Sequence, residues 1–425
     1  MKKSGIILFS NLRYIFLAGV ISLILITIVG MGGGSSSANN ALAITSDYGT
    51  DGMIDGPGVG ISPNDSDNTF HSLAVHPTDP NTVLIGNEGN GIFKSVDGGL
   101  AWRRINIGLH YSISINAYPE IYELIFDTRN PDKIYAATTG GPGPTTSGGI
   151  GGFYYSNDKG ETWTRSIAGI HNYAVVSLAQ DQNNPDIIYI GMDNAISTGY
   201  TPTDNSGPNM YKSSDGGLTW VGLNLPVTNN RICNIIIDPA DSNTIYCEGW
   251  EAYTLEDLSS NHLGFAKSTD AGQTWVRINN GLPSLKNGCI SIDPNNSSML
   301  YCSIWTDEGA APYKTTDGGA NWVRFQTEGP ARSISNLKVS PHNSDTIIGS
   351  TSSPSNRLYV TSDGGSTWSE ALDYSGAGII FKKIQYTGNE NIVYGSADQL
   401  KVYKSVDGGA TFSAVIGDLQ SFIGH

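Results

Sequence analysis

Basic residues are scarce in this sequence. The 425 residues contain 24 Lys and Arg against 39 Asp and Glu, which gives a formal net charge of −15 at pH 7. Residues 1–43 carry Lys2, Lys3 and Arg13 and no acid, so the remainder of the chain stands at −18. A surface of this sign repels phosphate backbones. We therefore expect no nucleic-acid partner.

Several catalytic and metal-binding signatures are also absent. The seven His residues form no HExxH pattern, and neither a GxSxG elbow nor a P-loop occurs. An acidic stretch within residues 47–68 could bind Ca²⁺, but its composition favours a solvated linker. The four cysteines match no metal-ligand spacing, and their state stays open between two disulfides and buried thiols: Cys233, Cys247, Cys289 and Cys302. We expect no metal site and no cofactor.

Only one long apolar run is present. It covers Tyr14–Met31, follows three basic residues and precedes a Gly/Ser/Asn stretch that ends in "ALA" at Ala41–Ala43. This order is typical of a secretory signal cleaved after Ala43. Because the run is close to spanning length, an uncleaved membrane anchor is the alternative, and it would be the only membrane contact. In both cases we expect residues 44–425 to be secreted, periplasmic or at the cell surface.

Seven near-copies of one phrase run through the chain. The first is "KSVDGGLAW" at Lys94–Trp102, and the others are "YSNDKGETW", "KSSDGGLTW", "KSTDAGQTW", "KTTDGGANW", "VTSDGGSTW" and "KSVDGGATF". Their acidic residues are separated by 61, 57, 55, 47, 46 and 44 residues: Asp97, Asp158, Asp215, Asp270, Asp317, Asp363 and Asp407. A second phrase, such as "LAVHPTDPNTVLIG", precedes each copy.

Each repeat unit predicts four strands. Strand A is the alternating run before a Pro/Asn turn, strand B follows that turn, strand C leads into the repeated phrase, and strand D begins at its Trp. A four-stranded unit of this period is typical of a propeller blade. We therefore predict an all-β fold, a seven-bladed β-propeller of four-stranded antiparallel blades over residues 71–425. Residues 44–70 would be a linker that could help to close the ring.

The repeated pattern Ser/Thr-x-Asp-x-Gly-x-Thr-Trp resembles the Asp-box (BNR) repeat. That repeat occurs in the propellers of sialidases, xyloglucanases, sortilin-type receptors and photosystem II assembly factors. The resemblance covers nearly all of the chain after residue 43 and implies the fold more strongly than any activity. Each box joins strands C and D, so we interpret its Asp as an acceptor for turn amides and its Gly as a residue of positive φ. Seven boxes on the rim of one face cannot converge on one ligand.

The opposite face carries the surplus residues of the longer repeat units. In blades 2, 3 and 4 these residues lie between strands B and C, and the segment "NIGLHYSISINAYPE" joins blade 1 to blade 2. Long loops on a rigid scaffold concentrate binding residues. Where strand B emerges on this loop-rich face, successive blades carry Glu88, Thr139, Asp193, Trp250, Trp305, Ser352 and Asp398.

Aromatic residues in that column suggest a ligand. Trp250 and Trp305 are the tryptophans outside the boxes and belong to neighbouring blades. Aromatic platforms beside a carboxylate such as Asp193 can stack sugar rings and bond their hydroxyls. The alternative is that these residues only cap the blade edges.

Sialidase-like chemistry would require an arginine triad and a Tyr nucleophile, as the resemblance implies. The candidates on the loop-rich face are Arg231, Arg332 and Arg357, with Tyr374 as the nucleophile. The first blade lacks the Arg-Ile-Pro motif of sialidases, and sialidases have six blades. We therefore do not favour this activity.

Xyloglucanase-like chemistry agrees better with the blade number. The resemblance implies a catalytic Asp just beyond strand B of an early blade, and Glu88 occupies that place. Those enzymes set two propellers face to face, whereas this sequence predicts one. Glycoside hydrolysis needs two carboxyl groups, and Asp398, across the ring closure from Glu88, is the best internal partner.

These observations favour an exported monomer that binds a glycan or an extracellular partner protein through the loop-rich face. A glycoside hydrolase that uses Glu88 and Asp398 is the alternative hypothesis. An extracytoplasmic assembly or scaffold factor is the third.

Overall fold

A computed structural model describes residues 70–415, apart from 113–116, 141–149, 172, 194–206, 228–230, 251–262, 286, 307–308, 327–329, 352–355, 376–380 and 398–400. Within these ranges the chain forms seven four-stranded antiparallel sheets and a short 3-10 helix at Pro330–Ser333. The all-β fold and the seven blades are confirmed. The predictions for residues 1–69, for most of the long loops between strands B and C of blades 2 to 4, and for Asp398 lie outside the described residues.

Each blade takes four consecutive strands, β1–β4 in blade 1 through β25–β28 in blade 7. Blades 1 and 2 contain Phe70–Val75, Val83–Asn87, Gly91–Ser95 and Arg103–Arg104, then Ile121–Phe126, Ile134–Thr138, Gly152–Ser156 and Thr164–Ser166. Blades 3 and 4 contain Val175–Gln180, Ile188–Met192, Met210–Ser213 and Val221–Leu223, then Arg231–Asp238, Asp241–Trp250, Gly264–Ser268 and Val276–Arg277. Blades 5 and 6 contain Asn287–Asp293, Asn296–Thr306, Gly309–Thr315 and Val323–Arg324, then Ile334–Val339, Ile347–Thr351, Arg357–Thr361 and Ser369–Asp373. Blade 7 contains Phe381–Tyr386, Val393–Ala397, Lys401–Ser405 and Ser413–Ala414.

Strand A is the innermost strand of every blade. The first strands of successive blades contact one another around the whole ring, including β25 against β1. Strand B is apolar and buried between neighbouring blades, as in Val83–Asn87, whereas strand D is short and exposed, as in Val276–Arg277. The central channel is therefore lined by the seven A strands.

The Asp-boxes form the predicted turns between strands C and D. In blade 4, Ser268 Oγ donates to Asp270 Oδ1 at 2.8 Å, and Asp270 accepts the amide and the hydroxyl of Thr274 at 2.8 and 2.5 Å. The hydroxyl and amide of Thr274 and the hydroxyl of Ser268 lower the pKa of Asp270 to about 2. The carboxylate thus satisfies amides that no neighbouring strand reaches.

A left-handed backbone recurs in each box. The second glycine has a positive φ in all seven copies, for example 97° at Gly99 and 90° at Gly272. Lys159 and Ala271 occupy the preceding position in boxes 2 and 4, with φ of 66° and 58°. This position is otherwise glycine, because a Cβ disfavours the conformation.

Side chains rather than a shared sheet close the described ring. Tyr394 of blade 7 donates to the carbonyl of Pro80 in blade 1 at 2.9 Å. Phe70 and Phe93 of blade 1 pack in one cluster with Tyr394 and Val402 of blade 7. The junction therefore resembles the others in the ring, such as that between blades 3 and 4, where Tyr189 donates to the carbonyl of Ala271 at 3.1 Å.

A β-bulge interrupts strand A at the same place in every blade. In blade 1 the register passes from Phe70 opposite Asn87 to Ser72 opposite Gly86, which leaves His71 in the bulge. The bulged residues of the other blades are Tyr122, Val176, Cys233, Gly288, Ser335 and Lys382. Because a bulge re-aims side chains, it changes the direction of the residues at the start of strand A, which is its loop-rich end.

The four cysteines are free thiols, and Cys247 and Cys302 are buried. Of the two states left open by the sequence, the structure therefore has thiols. No helix in the described part of the chain is long and apolar enough to cross a membrane.

Candidate functional site

A polar cluster lies at the loop-rich end of the central channel, on blades 1 to 4. We call it the mouth cluster, and it consists of His71, Glu88, Glu120, Tyr122, Thr139, Asp193 and Arg231. Glu88, Thr139 and Asp193 directly follow strands β2, β6 and β10, so they occupy equivalent positions in three successive blades. The other four residues lie at or just before the start of a strand A.

Glu88 is held in a tight turn between β2 and β3. Gly89 and Gly91 flank the turn with φ of 78° and 79°, and Asn90 Nδ2 donates to Asn87 Oδ1 at 2.6 Å. The amide of Tyr118 donates to the carbonyl of Gly89 at 2.9 Å. This bond brings the extra segment between blades 1 and 2 against the turn, and that segment ends at Glu120.

Ionic and aromatic contacts connect the cluster. His71 Nε2 lies 3.7 Å from Glu88 Oε2, and the His71 ring stacks on Tyr122 with centroids 4.7 Å apart. The guanidinium of Arg231 lies 4.8 Å from the centre of the Tyr122 ring, and its Nη1 lies 3.5 Å from Asp193 Oδ2. Tyr122 therefore joins a Glu–His pair on one side to an Arg–Asp pair on the other.

Glu120 is the buried acid of the cluster. Its side chain is 5% exposed, and Thr139 Oγ1 donates to Glu120 Oε2 at 3.0 Å. Burial and the charge of Glu88 raise the pKa of Glu120. Glu88 is more accessible, with 19% of its side chain exposed. Two neighbouring carboxyl groups in such different surroundings are an arrangement that can serve acid–base chemistry.

Burial also affects the pKa values of Tyr122 and Arg231. Burial and the neighbouring Glu120 raise the pKa of Tyr122, so its hydroxyl stays protonated. Burial alone would lower the pKa of Arg231, but Tyr122 and Asp193 together hold it above its ordinary value. Arg231 is therefore a permanent cation beside Asp193 and the neutral Tyr122.

The structure brings together three of the residues that the sequence suggested for binding or catalysis. Glu88, Asp193 and Arg231 belong to the mouth cluster. Sequence reasoning missed Glu120, Tyr122 and His71. The available signal was the extra segment, which ends in "YPE" at Glu120 and leads directly into β5, where Tyr122 is the second residue.

The tryptophan column is described only in part. Trp305 is 39% exposed at the end of β18. Trp250 ends β14 opposite Arg231 in the sheet register, but its side chain lies outside the described residues. The aromatic platform therefore stays a prediction.

One protein-family model matches part of the repeat region. The Sortilin-Vps10 family model ("Sortilin, neurotensin receptor 3,") matches residues 264–406, which cover three of the boxes in full and reach into the seventh. Together with seven boxes at seven equivalent turns, this match decides the class of propeller. The chain is an Asp-box β-propeller.

Relatives of this Asp-box propeller include glycan-active enzymes. A xyloglucanase from Hypocrea jecorina (strain QM6a) is 29% identical over 191 residues, which are 41% of this chain and 19% of the relative. The crystal structure of an ancestral GH74 enzyme superposes with a TM-score of 0.62 at 17% identity, covering 84% of this chain and 46% of that one. The chain thus spans less than half the length of either protein.

Another similar structure is YCF48 bound to D1 peptide. It superposes with a TM-score of 0.55 at 13% identity and covers 80% of this chain and 94% of that one. At this identity the likeness extends to the fold alone. It differs from the enzymes in that nearly its whole length is matched by this one propeller.

The arginines of the Asp-box propeller do not form a triad among the described residues. Arg357 Nη2 lies 2.8 Å from Asp373 Oδ2 and its Nε 2.8 Å from Glu370 Oε2, so this guanidinium is engaged by acids of its own blade. Arg332 is exposed in the 3-10 helix before β21. The only arginine in the mouth cluster is Arg231.

The position of Tyr374 argues against the nucleophile role. The side chain is 5% exposed, and its hydroxyl donates to the carbonyls of Thr351 and Arg357, both at 3.2 Å. Burial raises its pKa further. Tyr374 therefore ties strands of blade 6 together and does not face a substrate. Among the described residues, no group of three or more His, Cys, Asp or Glu is placed to hold a metal ion.

Proposed function

We propose that this Asp-box propeller is a glycoside hydrolase that acts on a polysaccharide, with Glu88 and Glu120 as its carboxyl pair. The observation that carries the proposal is the pairing of a buried acid of raised pKa with a more accessible carboxylate at the mouth of the channel. The similarity to a xyloglucanase and to a GH74 enzyme supports a glucan as the substrate class.

The two carboxyl groups would divide the reaction as such pairs do. Glu120 gives its proton to the glycosidic oxygen as the bond between that oxygen and the anomeric carbon breaks. Water adds to the anomeric carbon, and its proton passes to Glu88. His71 and Thr139 orient the two carboxyl groups through the contacts described above. A polysaccharide substrate supports secretion, because such polymers lie outside the cell.

Hydrolysis assays with matched variants test the proposal. We expect the full chain to release reducing ends from xyloglucan or another plant glucan. Glu88→Gln and Glu120→Gln should each lower the rate at least about a hundredfold, the lower range for a lost acid or base, without changing Tm. Glu161→Gln, on the Asp-box side, is the control and should keep full activity. Asp398→Asn tests the alternative partner for Glu88.

Wild-type protein that releases no reducing ends from a broad panel of polysaccharides would overturn the proposal. So would a Glu88→Gln variant with unchanged turnover. Loss of activity in Asp398→Asn but not in Glu120→Gln would move the acid role to Asp398.

A binding module is the second candidate. Two observations favour it: a single propeller that matches nearly all of YCF48 bound to D1 peptide, and the exposed ring of Trp305 on the loop-rich face. A glycan array separates the candidates, because a binding module retains glycan in the absence of any turnover. Trp305→Ala and Trp250→Ala should then abolish retention, and unchanged retention in both would exclude the aromatic platform.

A further inference from the structure

An ion pair in the central channel joins blade 7 to blade 2, past blade 1. Lys383 Nζ lies 2.8 and 2.6 Å from the two carboxylate oxygens of Glu123. These residues belong to blades 7 and 2, which are separated in the ring by blade 1. Blade 1 has Ser72 at the equivalent position, where its small side chain leaves room for the pair.

Lys338 lies in the same channel, nearer the Asp-box face. It is two residues beyond Asn336, which is equivalent in register to Glu123 and Lys383, so its side chain is on the same side of strand A. The charges of Lys383 and Glu123, from blades 7 and 2, both influence its pKa. These influences agree with a side chain directed towards the axis of the ring.

This lysine is surrounded by protein and yet reached by water. Its side chain is exposed, although every neighbour on β21 is buried or half-buried. Burial, and then the repulsion of Lys383, lower its pKa. Because β21 is the innermost strand of blade 6, this exposure is to the channel and not to the outer surface.

Lys338 has no carboxylate at ion-pairing distance among the described residues, since Glu123 is taken by Lys383 with both oxygens. The side chains of these two channel levels therefore include two cations and one anion. One level consists of Ser72, Glu123, Ser177, Asn234, Cys289, Asn336 and Lys383, and the next of Ala74, Ile125, Ala179, Ile236, Ser291, Lys338 and Gln385. These strand-A side chains therefore carry one positive charge in excess, although the whole chain has a formal charge of −15 and strand B of blade 4 carries the buried Glu248 near Lys383.

We propose that the channel binds a small inorganic anion between Lys338 and Lys383. A charge held away from bulk water is stabilised by a partner of opposite sign. Because water reaches Lys338, a small anion reaches it too. The hydroxyl of Ser291 is in the same level of the channel and is a further donor. This site is separate from the mouth cluster and does not depend on the proposed hydrolase activity.

Bromide replaces chloride and can be located by anomalous diffraction, so it is the first probe. Crystals of the full chain grown with sodium bromide should show an anomalous peak within hydrogen-bonding distance of Lys338 Nζ. In solution, Tm should rise when chloride replaces a bulky anion such as gluconate at constant ionic strength. Parallel titrations with phosphate and sulfate decide between a halide and an oxyanion.

Matched variants complete the test. Lys338→Met should lose both the bromide peak and the anion-dependent rise in Tm, whereas Lys338→Arg should keep them. Lys314→Met, on the third strand of blade 5, is the control and should behave as the wild type. A wild-type channel without bromide and a Tm that is independent of the anion would overturn the proposal, whether or not Lys338→Met folds.

Discussion

At the scale of single residues, one Asp-box lacks a hydrogen bond that the others have. Its Asp97 accepts the amides of Leu100 and Ala101, but Ala101 stands where five boxes have a Thr whose hydroxyl donates to the Asp. In the remaining box, Asn321 Nδ2 donates to Asp317 instead. Box 1 is therefore the incomplete copy.

Ala101→Thr should complete box 1 and stabilise the propeller. The new hydroxyl would donate to the free side of Asp97, and an exposed hydrogen bond of this type contributes about 0.5 kcal/mol. Calorimetry should show a small rise in Tm. Ala101→Val, which has the same shape without the hydroxyl, should show no rise, and equal Tm values for both variants would contradict the account.

Residues of the mouth cluster differ in how far the sequence could reveal them. Glu88 and Asp193 could be predicted because successive repeat units carry them at the point where strand B ends. His71 and Tyr122 were missed because they lie in the bulges, and a bulge is a local change of register that leaves no mark on the alternation of apolar residues. Glu120 was missed because its burial depends on packing between distant segments.

At the scale of the strand, β14 carries an unusual side chain. Glu248 lies opposite Asn234, at a position where the other blades have Gly86, Ala137, Gly191, Ser303, Ser350 and Ser396. Small residues suit this position because a Cβ at Gly86 would lie 2.2 Å from Ser72 Oγ. Glu248 is 3% exposed, and burial raises its pKa to about 7.

This buried acid makes stability depend on pH. The folded protein keeps the proton of Glu248 up to about pH 7, whereas the unfolded chain releases it near the ordinary value of 4.5. The folded state is therefore penalised as pH rises from 4.5 to 7, and the penalty stays constant above that window. By the conversion of pKa to free energy, it amounts to at most about 3 kcal/mol.

Glu248→Gln should remove the penalty, since the amide oxygen can still accept the Ile290 amide. Relative to the wild type, the free energy of unfolding should be unchanged at pH 4 and higher at pH 8, as measured by urea titration. The exposed Glu390→Gln is the control and should show no such trend. If the free energy of unfolding of Glu248→Gln exceeded that of the wild type by the same amount at both pH values, the titration of Glu248 would not be the cause.

At the scale of the whole molecule, seven boxes at regular intervals predicted the number of blades and the all-β fold. A sevenfold repeat constrains topology strongly, because each unit must bury both faces against its neighbours. The charge of the central channel could not be predicted in this way. It depends on Glu123, Lys338 and Lys383, which are far apart in the chain and meet only when the ring closes.

The two faces of the ring carry different groups of residues. The Asp-boxes occupy one face and serve the turns, while the mouth cluster opens on the other. A ligand bound across the channel mouth would contact Glu88 and Glu120 from blades 1 and 2 together with Arg231 from blade 4. We therefore propose that the chemistry takes place on the loop-rich face, over the end of the channel.

A crystal structure of Glu88→Gln with a glucan oligosaccharide is the decisive experiment, because we expect this variant to bind its ligand without hydrolysing it. Sugar density should appear on the loop-rich face, with a glycosidic oxygen within hydrogen-bonding distance of Glu120. Sugar bound only along the Asp-box rim, or a mouth cluster without sugar at saturating concentration, would contradict this proposal.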